Sequence, residues 1–204
     1  DLIDAHQPDA DVIDAVQLSG LDPDADTHDH GDDGGHDHAD EHADDHSDDH
    51  AGHAHGAVNE HVWYHLGTMQ VLASEIADHL SEIDPDGAAS YRANATAFAA
   101  GLTDLTLVAA DIATRSAGTA VAVTEPVPLY LLEAAGLSNA TPAEFTEAVE
   151  EGTDVPVLTL QSVETLVASG SVAFLAYNEQ TVGPQTEAVL AVAQGAGTPV
   201  VSFS

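Results

Sequence analysis

The chain has 204 residues, of which 36 are Asp or Glu and only 2 are Lys or Arg, so its formal net charge at pH 7 is -34 and its pI is about 4.1. This negative field repels nucleic-acid phosphates and anionic membrane surfaces, and it attracts cations. Because the sequence contains no Cys, disulfides, thiolate catalysis and cysteine zinc sites are excluded, and any metal site must use His nitrogen and carboxylate oxygen.

The apolar content, 44% of the residues, is enough for one core or for two small lobes. No stretch approaches the roughly 18 consecutive apolar residues of a membrane span. The first four residues, Asp1 to Asp4, lack the basic and apolar parts of a signal peptide. We therefore expect a mature chain or a fragment, which is compatible with export.

The first 60 residues hold 19 of the 36 acidic residues and no cation. Near the start, residues 11–16 have a brief apolar pattern that predicts a short strand. Residues 25–56 are of low complexity and are dominated by Asp, His, Gly and Ala. Since such a segment cannot bury enough apolar surface to offset the entropy of ordering, we expect it to be a disordered loop.

Apolar residues at helical spacing predict two long helices after residue 57. The first ends at Asp84, because Pro85 disfavours helical backbone at the residue before it. The second runs from about residue 87 to residue 116 and is ended by Gly118. At about 1.5 Å per residue it spans about 43 Å, so we expect it to run between two lobes. The apolar stripe of the first helix consists of Met69, Leu72, Ile76, Leu80 and Ile83.

From residue 119 onward, short apolar strands alternate with helices. Strands that are apolar throughout and separated by helices indicate a parallel α/β sheet. We expect Thr141 and Thr159 to cap the second and third of these helices. The predicted strands are 119–124, 171–177 and 198–203, and the predicted helices are 128–135, 143–151, 160–168 and 185–194.

Nine of the 13 histidines fall within positions 28–55, several of them four residues apart or in HxH pairs. Neutral imidazole is a good ligand for Zn²⁺, Cu²⁺ and Ni²⁺, and the intervening Asp residues add oxygen ligands and a negative potential. Many equivalent ligands give many weak sites, so the composition predicts transition-metal capture, with a merely solvated acidic spacer as the alternative. The nine residues are His28, His30, His36, His38, His42, His46, His50, His53 and His55.

Another histidine, His61, lies among apolar residues at the foot of the first predicted helix. A single His of this kind is more often a hydrogen-bonded structural residue than a ligand. However, NEHVWYHLGTM at positions 59–69 resembles the N-x-H-V-W segment of metal-specific solute-binding proteins of ABC importers, the zinc/manganese cluster. Further segments that resemble the family follow in its order, at 84–102, 122–137, 141–160 and 176–189. The resemblance covers residues 57–204, and the His-rich loop matches in position the loop that is typical of the zinc-transporting branch.

The resemblance implies an α/β fold of the two-lobed solute-binding type, with parallel sheets, lobes joined by one long rigid helix, and one metal ion in the cleft. The chain would be incomplete at both ends. The implied divisions are 1–24 as a remnant of the N-terminal lobe, 25–56 as the His/Asp-rich loop, 57–86 as N-terminal lobe, 87–118 as the interlobe linker helix, and 119–204 as a truncated C-terminal α/β lobe.

The resemblance also implies a ligand set. His61 matches the family's second histidine ligand, and Glu125 occupies the third-ligand position, where zinc members often have His and manganese members often have Glu. A plain helix-start carboxylate is the alternative for Glu125. Glu179 lies where the family supplies its last oxygen ligand and is the weakest of the three. The family's first histidine has no counterpart, because His6 lies too close to the loop to replace it.

The expected function is capture of Zn²⁺ outside the cytoplasm, in the periplasm or lipid-anchored at the cell surface, by a monomer that delivers the ion to the membrane permease of an ABC importer. The loop would concentrate Zn²⁺ and release it below about pH 6.5, when imidazoles protonate. A Mn²⁺-specific protein of the same family and a metal buffer or storage protein are the alternatives. A metallohydrolase would need a general base as in HExxH, and neither HExxH nor GxSxG occurs, so we do not expect an enzyme.

Overall fold

A computed structural model describes residues 11–21 and 58–204 of the chain. The predictions for the His-rich loop, including its nine histidines, lie outside the described residues. In chain order the helices and strands are α1 (Ala15–Ser19), a 3-10 helix (Val62–Tyr64), α2 (Leu66–Ile83), α3 (Ala88–Ser116), β1 (Ala120–Val123), α4 (Leu129–Ala134), β2 (Ser138–Asn139), α5 (Ala143–Glu150), α6 (Val157–Ala168), β3 (Leu175–Asn178), α7 (Pro184–Ala196) and β4 (Val200–Phe203).

The four strands form one parallel sheet in the order β2-β1-β3-β4, which confirms the predicted α/β class. Successive side chains of a strand point to opposite faces. On β1, Val121 and Val123 pack with Leu132 of α4, whereas Ala122 packs into a larger cluster that contains Phe145 of α5. Both faces of the central strands are therefore covered by helices, which is why these strands are apolar throughout.

The first described segment is helical, so the strand predicted for residues 11–16 is wrong. Asp14 takes an extended backbone conformation, and its carboxylate accepts hydrogen bonds from the backbone N–H groups of Val16 and Gln17 at 2.8 and 3.1 Å. These bonds cap the N-terminus of α1, and Gly20 ends the helix with φ at +63°. The N-cap Asp14 and the C-cap Gly20 therefore favoured a short helix over the strand that the brief apolar pattern predicts.

The two long helices have the predicted boundaries. The first, α2, ends at Ile83, and Asp84 is its C-terminal cap, immediately before Pro85. The predicted apolar stripe of α2 is only partly buried, since Ile76 and Ile83 are 42% and 76% exposed. The apolar periodicity therefore predicted the helix correctly, but it did not predict how much of the apolar stripe is buried among the described residues.

The helix α3 is 29 residues long and packs against α2. By length and composition alone it could cross a membrane, because it contains an apolar stretch of 18 residues, most of which are not buried. This criterion is also met by long apolar helices of water-soluble folds. At its C-terminal end, Arg115 forms an ion pair with Asp111 at 2.6 Å. Gly136, with φ at +69°, approaches Ala113 so closely that a Cβ atom there would lie 3.0 Å from it, which ties α3 to the sheet domain.

The two predicted threonine caps are wrong. Pro142 and Pro156 occupy the N-cap positions of α5 and α6, without a side-chain cap. The Thr141 hydroxyl instead accepts from the backbone N–H of Val123 at 2.9 Å, and Thr159 lies inside α6 and donates to Glu144 of α5. In both cases the hydroxyl stabilises a contact between elements. The edge strand β2 was not predicted, because its two residues are too few to show a pattern.

Candidate metal site

Glu125, one of the candidate ligands, lies where the central strands end. Glu125 follows β1 closely, and Asn178 is the last residue of β3, the strand that pairs with β1. Because the carboxyl ends of parallel strands meet at one edge of the sheet, the two side chains are neighbours. Nδ2 of Asn178 donates a hydrogen bond of 2.8 Å to Oε2 of Glu125.

Glu125 is only 5% exposed, and its two carboxylate oxygens differ. Oε2 accepts the bond from Asn178, whereas Oε1 is buried and has no hydrogen-bond partner among the described residues. A buried, unsatisfied carboxylate oxygen is expensive, at about 1–3 kcal/mol or more. Such an atom is suited to bind a cation directly.

His61 immediately precedes the 3-10 helix, and its ring is oriented by Asn59. Oδ1 of Asn59 lies 2.7 Å from Nδ1 of His61 and also accepts from the His61 backbone N–H at 3.1 Å. Since the Asn59 amide nitrogen donates elsewhere, its oxygen faces the ring, and Nδ1 of His61 must carry the proton. The other ring nitrogen, Nε2, then has a free lone pair for a metal ion.

Asn59 also connects the His61 segment to the segment that carries Glu125. The Nδ2 of Asn59 donates to the carbonyl oxygen of Pro126 at 2.9 Å, and the Tyr130 hydroxyl donates to the backbone carbonyl oxygen of Asn59 at 2.9 Å. These bonds join residues 67 and 71 positions apart in the chain. The Trp63 ring packs edge-on against the His61 imidazole, with centroids 4.9 Å apart. The segment that carries His61 is thereby held against the residues that follow Glu125.

The electrostatics of the site favour a neutral imidazole and an added cation. Burial lowers the pKa of His61 below its ordinary value, and the negative charges of Glu125 and Glu60 oppose this shift. Burial also raises the pKa of Glu150, and the charge of Glu125 raises it further. Oε1 of Glu150 lies 3.6 Å from Nδ1 of His61. Carboxylates thus repel one another around a neutral His, and a divalent ion would relieve that repulsion.

Of the sequence-derived site residues, His61 and Glu125 lie close enough together for the charge of Glu125 to act on the pKa of His61. Glu179 is exposed, and its Oε1 accepts a hydrogen bond of 2.6 Å from the Ser202 hydroxyl. His65 caps α2, with Nδ1 2.6 Å from the Thr68 hydroxyl. Within residues 11–21 and 58–204, no group of three or more His, Asp or Glu side chains has the geometry to hold a metal ion. The described residues therefore do not form a complete ligand set by themselves.

Glu150 and the positioning role of Asn59 were not predicted from the sequence. Glu150 is the last residue of α5 and belongs to a run of acidic residues, so nothing in its spacing distinguishes it. Asn59 does belong to the N-x-H-V-W segment. An amide two residues before a candidate ligand is the signal that could have identified it.

The parallel sheet of β1 to β4 and the long helix α3 define an α/β fold, in which Glu125 after β1 and His61 before the 3-10 helix are the candidate metal ligands. A family model, described as the periplasmic component A of the zinc-uptake complex (ZnuA), matches residues 1–203. The chain therefore belongs to this family. No curated protein matches the chain.

Solved structures show the same fold. A ZnuA deletion mutant with zinc bound aligns with 72% of this chain and 53% of its own, at 23% identity and a TM-score of 0.57. The laminin-binding protein Lbp of Streptococcus pyogenes aligns with 71% and 53%, at 21% identity and a TM-score of 0.54. FpvC of Pseudomonas aeruginosa in complex with Mn²⁺ aligns with 74% and 55%, at 20% identity and a TM-score of 0.54. The chain spans about half the length of these proteins.

Proposed function

We propose that the protein captures one Zn²⁺ ion between His61 and Glu125 and delivers it to the permease of an ABC importer, from the periplasm or the outer cell surface. The observation that carries this proposal is the buried Oε1 of Glu125, which is without a hydrogen-bond partner in the part of the chain that the structure describes. Family membership supports the transport role, since the matched family is a component of a zinc-uptake complex.

The chemistry of the pair supports a divalent transition metal. Nε2 of a neutral imidazole and one carboxylate oxygen are normal Zn²⁺ ligands at about 2.0–2.2 Å. Asn59 supplies the outer hydrogen bond that fixes the ring of such a His. The net charge of -34 adds long-range attraction for cations.

Zn²⁺ is preferred over Mn²⁺ because imidazole nitrogen suits Zn²⁺, and the His-rich segment adds nine more imidazoles. Glu125 favours the Mn²⁺ alternative, since carboxylate oxygen suits Mn²⁺. Similar folds have been solved with different ions: the ZnuA mutant with zinc, and FpvC with Mn²⁺ in one structure and Ni²⁺ in another. The choice of ion is therefore a property of the individual site.

Two protein ligands leave coordination positions for others. Glu179 remains our proposal for an additional oxygen ligand, from the loop after β3, and it would have to leave Ser202 to reach the ion. Glu150 is a second nearby carboxylate, and its place 3.6 Å from His61 makes it a source of negative potential at the site. The His-rich loop would feed this site and would not form part of it.

The decisive experiment is a competitive zinc titration of the full chain against a chelator of known affinity. We expect one tight site plus several weak ones, and we expect His61→Ala and Glu125→Gln each to abolish the tight site. His79→Ala is the matched control, because His79 lies on α2 beside Glu75 and should leave the tight site intact. Tight binding that survives both site variants would refute the proposal.

Deletion of residues 25–56 separates transport from storage. If the folded site is the function, the deletion removes only weak sites and leaves one tight Zn²⁺ per chain. If storage is the function, tight binding disappears with the loop. Titration of the deleted protein with Mn²⁺ also decides between the ions, because Mn²⁺ binding tighter than Zn²⁺ would reverse our choice.

A further inference from the structure

The amide of Asn178 is held in one orientation by its neighbours. Its Oδ1 accepts from the backbone N–H of Gln180 at 2.9 Å, so its Nδ2 must face the other way. That nitrogen donates to Oε2 of Glu125 at 2.8 Å and to the Thr181 hydroxyl at 3.1 Å. The Asn178 backbone N–H is also fixed, by the Thr124 hydroxyl at 3.1 Å. Asn178 is itself only 8% exposed, so water does not compete strongly for these bonds.

This arrangement makes the two oxygens of Glu125 unequal before any ion binds. A carboxylate can bind a metal ion through one oxygen or through both. The bond from Asn178 occupies a lone pair of Oε2 and draws negative charge toward that atom, whereas Oε1 has no partner among the residues described. Binding through both oxygens would weaken or displace the Asn178 bond.

We propose that Asn178 is a specificity-determining residue, which holds Glu125 as a one-oxygen ligand and so favours Zn²⁺ over Mn²⁺. This inference rests on the proposed function, since it assumes that Glu125 binds the ion. Asn178 does not touch the ion in this account, and it acts through Glu125.

The physical reason lies in coordination number. Zn²⁺ is satisfied by four ligands in a tetrahedron, whereas Mn²⁺ prefers six, mainly oxygens. A carboxylate that binds through both oxygens supplies an extra ligand from the same residue and thereby helps the ion of higher coordination number. Restricting Glu125 to Oε1 removes that gain for Mn²⁺ and costs Zn²⁺ little.

The test compares the affinities of the full chain for Zn²⁺ and Mn²⁺ in three variants. Asn178→Leu removes the donor to Glu125 at similar volume. Thr181→Val removes the other partner of Nδ2 and leaves the bond to Glu125 in place. Asn94→Leu makes the same chemical change on an exposed position of α3 and serves as the matched control.

We expect Asn178→Leu to lower the Zn²⁺-to-Mn²⁺ affinity ratio about tenfold, in the range found for outer-shell partners of metal ligands. We expect Thr181→Val and Asn94→Leu to keep the wild-type ratio. Affinities for both ions that fall by the same factor in Asn178→Leu would overturn the proposal, because they indicate a structural role only. An equal change of the ratio in Thr181→Val would also overturn it, because the loop would then be responsible.

A second measurement needs no variant of Asn178. Infrared difference spectra, zinc-loaded minus metal-free, are recorded for the wild type and for Glu125→Gln, and the carboxylate-stretching bands that appear only in the wild type are assigned to the tight site that contains Glu125. Widely separated asymmetric and symmetric stretching bands indicate binding through one oxygen and support the proposal, whereas closely spaced bands indicate two and overturn it. If the wild type has no zinc site that depends on Glu125, the proposed function itself fails, which the spectra reveal as the absence of any Glu125 signal.

Discussion

Glu125→Gln should stabilise the metal-free protein while it destroys the metal site. Gln has the size of Glu and keeps an oxygen that can accept the bond from Asn178, but it carries no charge. In the metal-free protein the variant removes a buried charge, one oxygen of which lacks a partner within the described ranges. It also removes the repulsion between this charge and Glu150, whose pKa it raises. Because His61 is held neutral, no ion pair is lost in exchange.

The expected net gain is about 1–2 kcal/mol, because an unpaired charged group costs more to bury than the unpaired neutral amide N–H group that replaces it. For a chain of this size each kcal/mol shifts Tm by about 2–4 °C, so the variant should melt at least about 2 °C above the wild type in excess chelator. Free Zn²⁺ at 100 times Kd stabilises the wild type by about 2.7 kcal/mol through mass action. With zinc added, the wild type should therefore melt at a higher temperature than Glu125→Gln, because the variant does not bind zinc at this site and is not stabilised by it.

The assay is thermal unfolding followed by circular dichroism, with and without zinc. Glu82→Gln is the matched control, because Glu82 is exposed near the end of α2 and its charge should affect neither condition by more than a few tenths of a kcal/mol. A Glu125→Gln protein that melts below the wild type in excess chelator would refute the reasoning, because Glu125 would then be a stabilising structural residue and not a ligand kept at a cost.

Three further outcomes are expected. Asn59→Ala should weaken Zn²⁺ binding about 10–100-fold in calorimetric titration, because it frees the His61 ring, and an unchanged Kd would show that Asn59 does not position it. Burial lowers the pKa of His61 in the folded protein, so below the ordinary value of 6.5 the imidazole is protonated in the unfolded chain before it is protonated in the folded one. The free energy of unfolding of the metal-free protein should therefore decrease as the pH falls from 6.5 to the pKa of His61 in the folded state. NMR titration should find that pKa below 6.5 and lower still in Glu125→Gln, since Glu125 raises it; a rise in the variant would contradict the assigned geometry. Thr141→Val should cost about 1–3 kcal/mol in urea unfolding, since the buried N–H of Val123 loses its acceptor, and a cost near zero would count against that bond.

The fold was predictable because its signals are local. The apolar periodicity of two long segments predicted α2 and α3, and Pro85 predicted where α2 ends. Uninterrupted apolar runs gave the buried parallel strands, since both faces of β1 and β3 are covered. A hydroxyl side chain can either cap the helix next to it or form a hydrogen bond to a distant element, and the sequence alone does not show which of the two it does. Thr141 has the residue type and position of a cap, yet its hydroxyl bonds to a strand 18 positions earlier.

The site was predictable only in part. His61 and Glu125 were predicted as ligands through resemblance to the family, and in the structure the charge of Glu125 acts on the pKa of His61. The residues that orient them act through distant contacts, since Asn178 and Glu125 are 53 positions apart and Asn59 and Pro126 are 67 apart. These residues become neighbours only when the chain folds, and the spacing of residues along one sequence does not predict contacts between positions so far apart.

The most direct test of the account is a crystal structure of the zinc-loaded protein, with anomalous diffraction collected on both sides of the zinc absorption edge. The account predicts one strong anomalous peak within about 2.0–2.2 Å of both Nε2 of His61 and Oε1 of Glu125. Zinc peaks confined to other histidines, with Glu125 Oε1 uncoordinated, would contradict it.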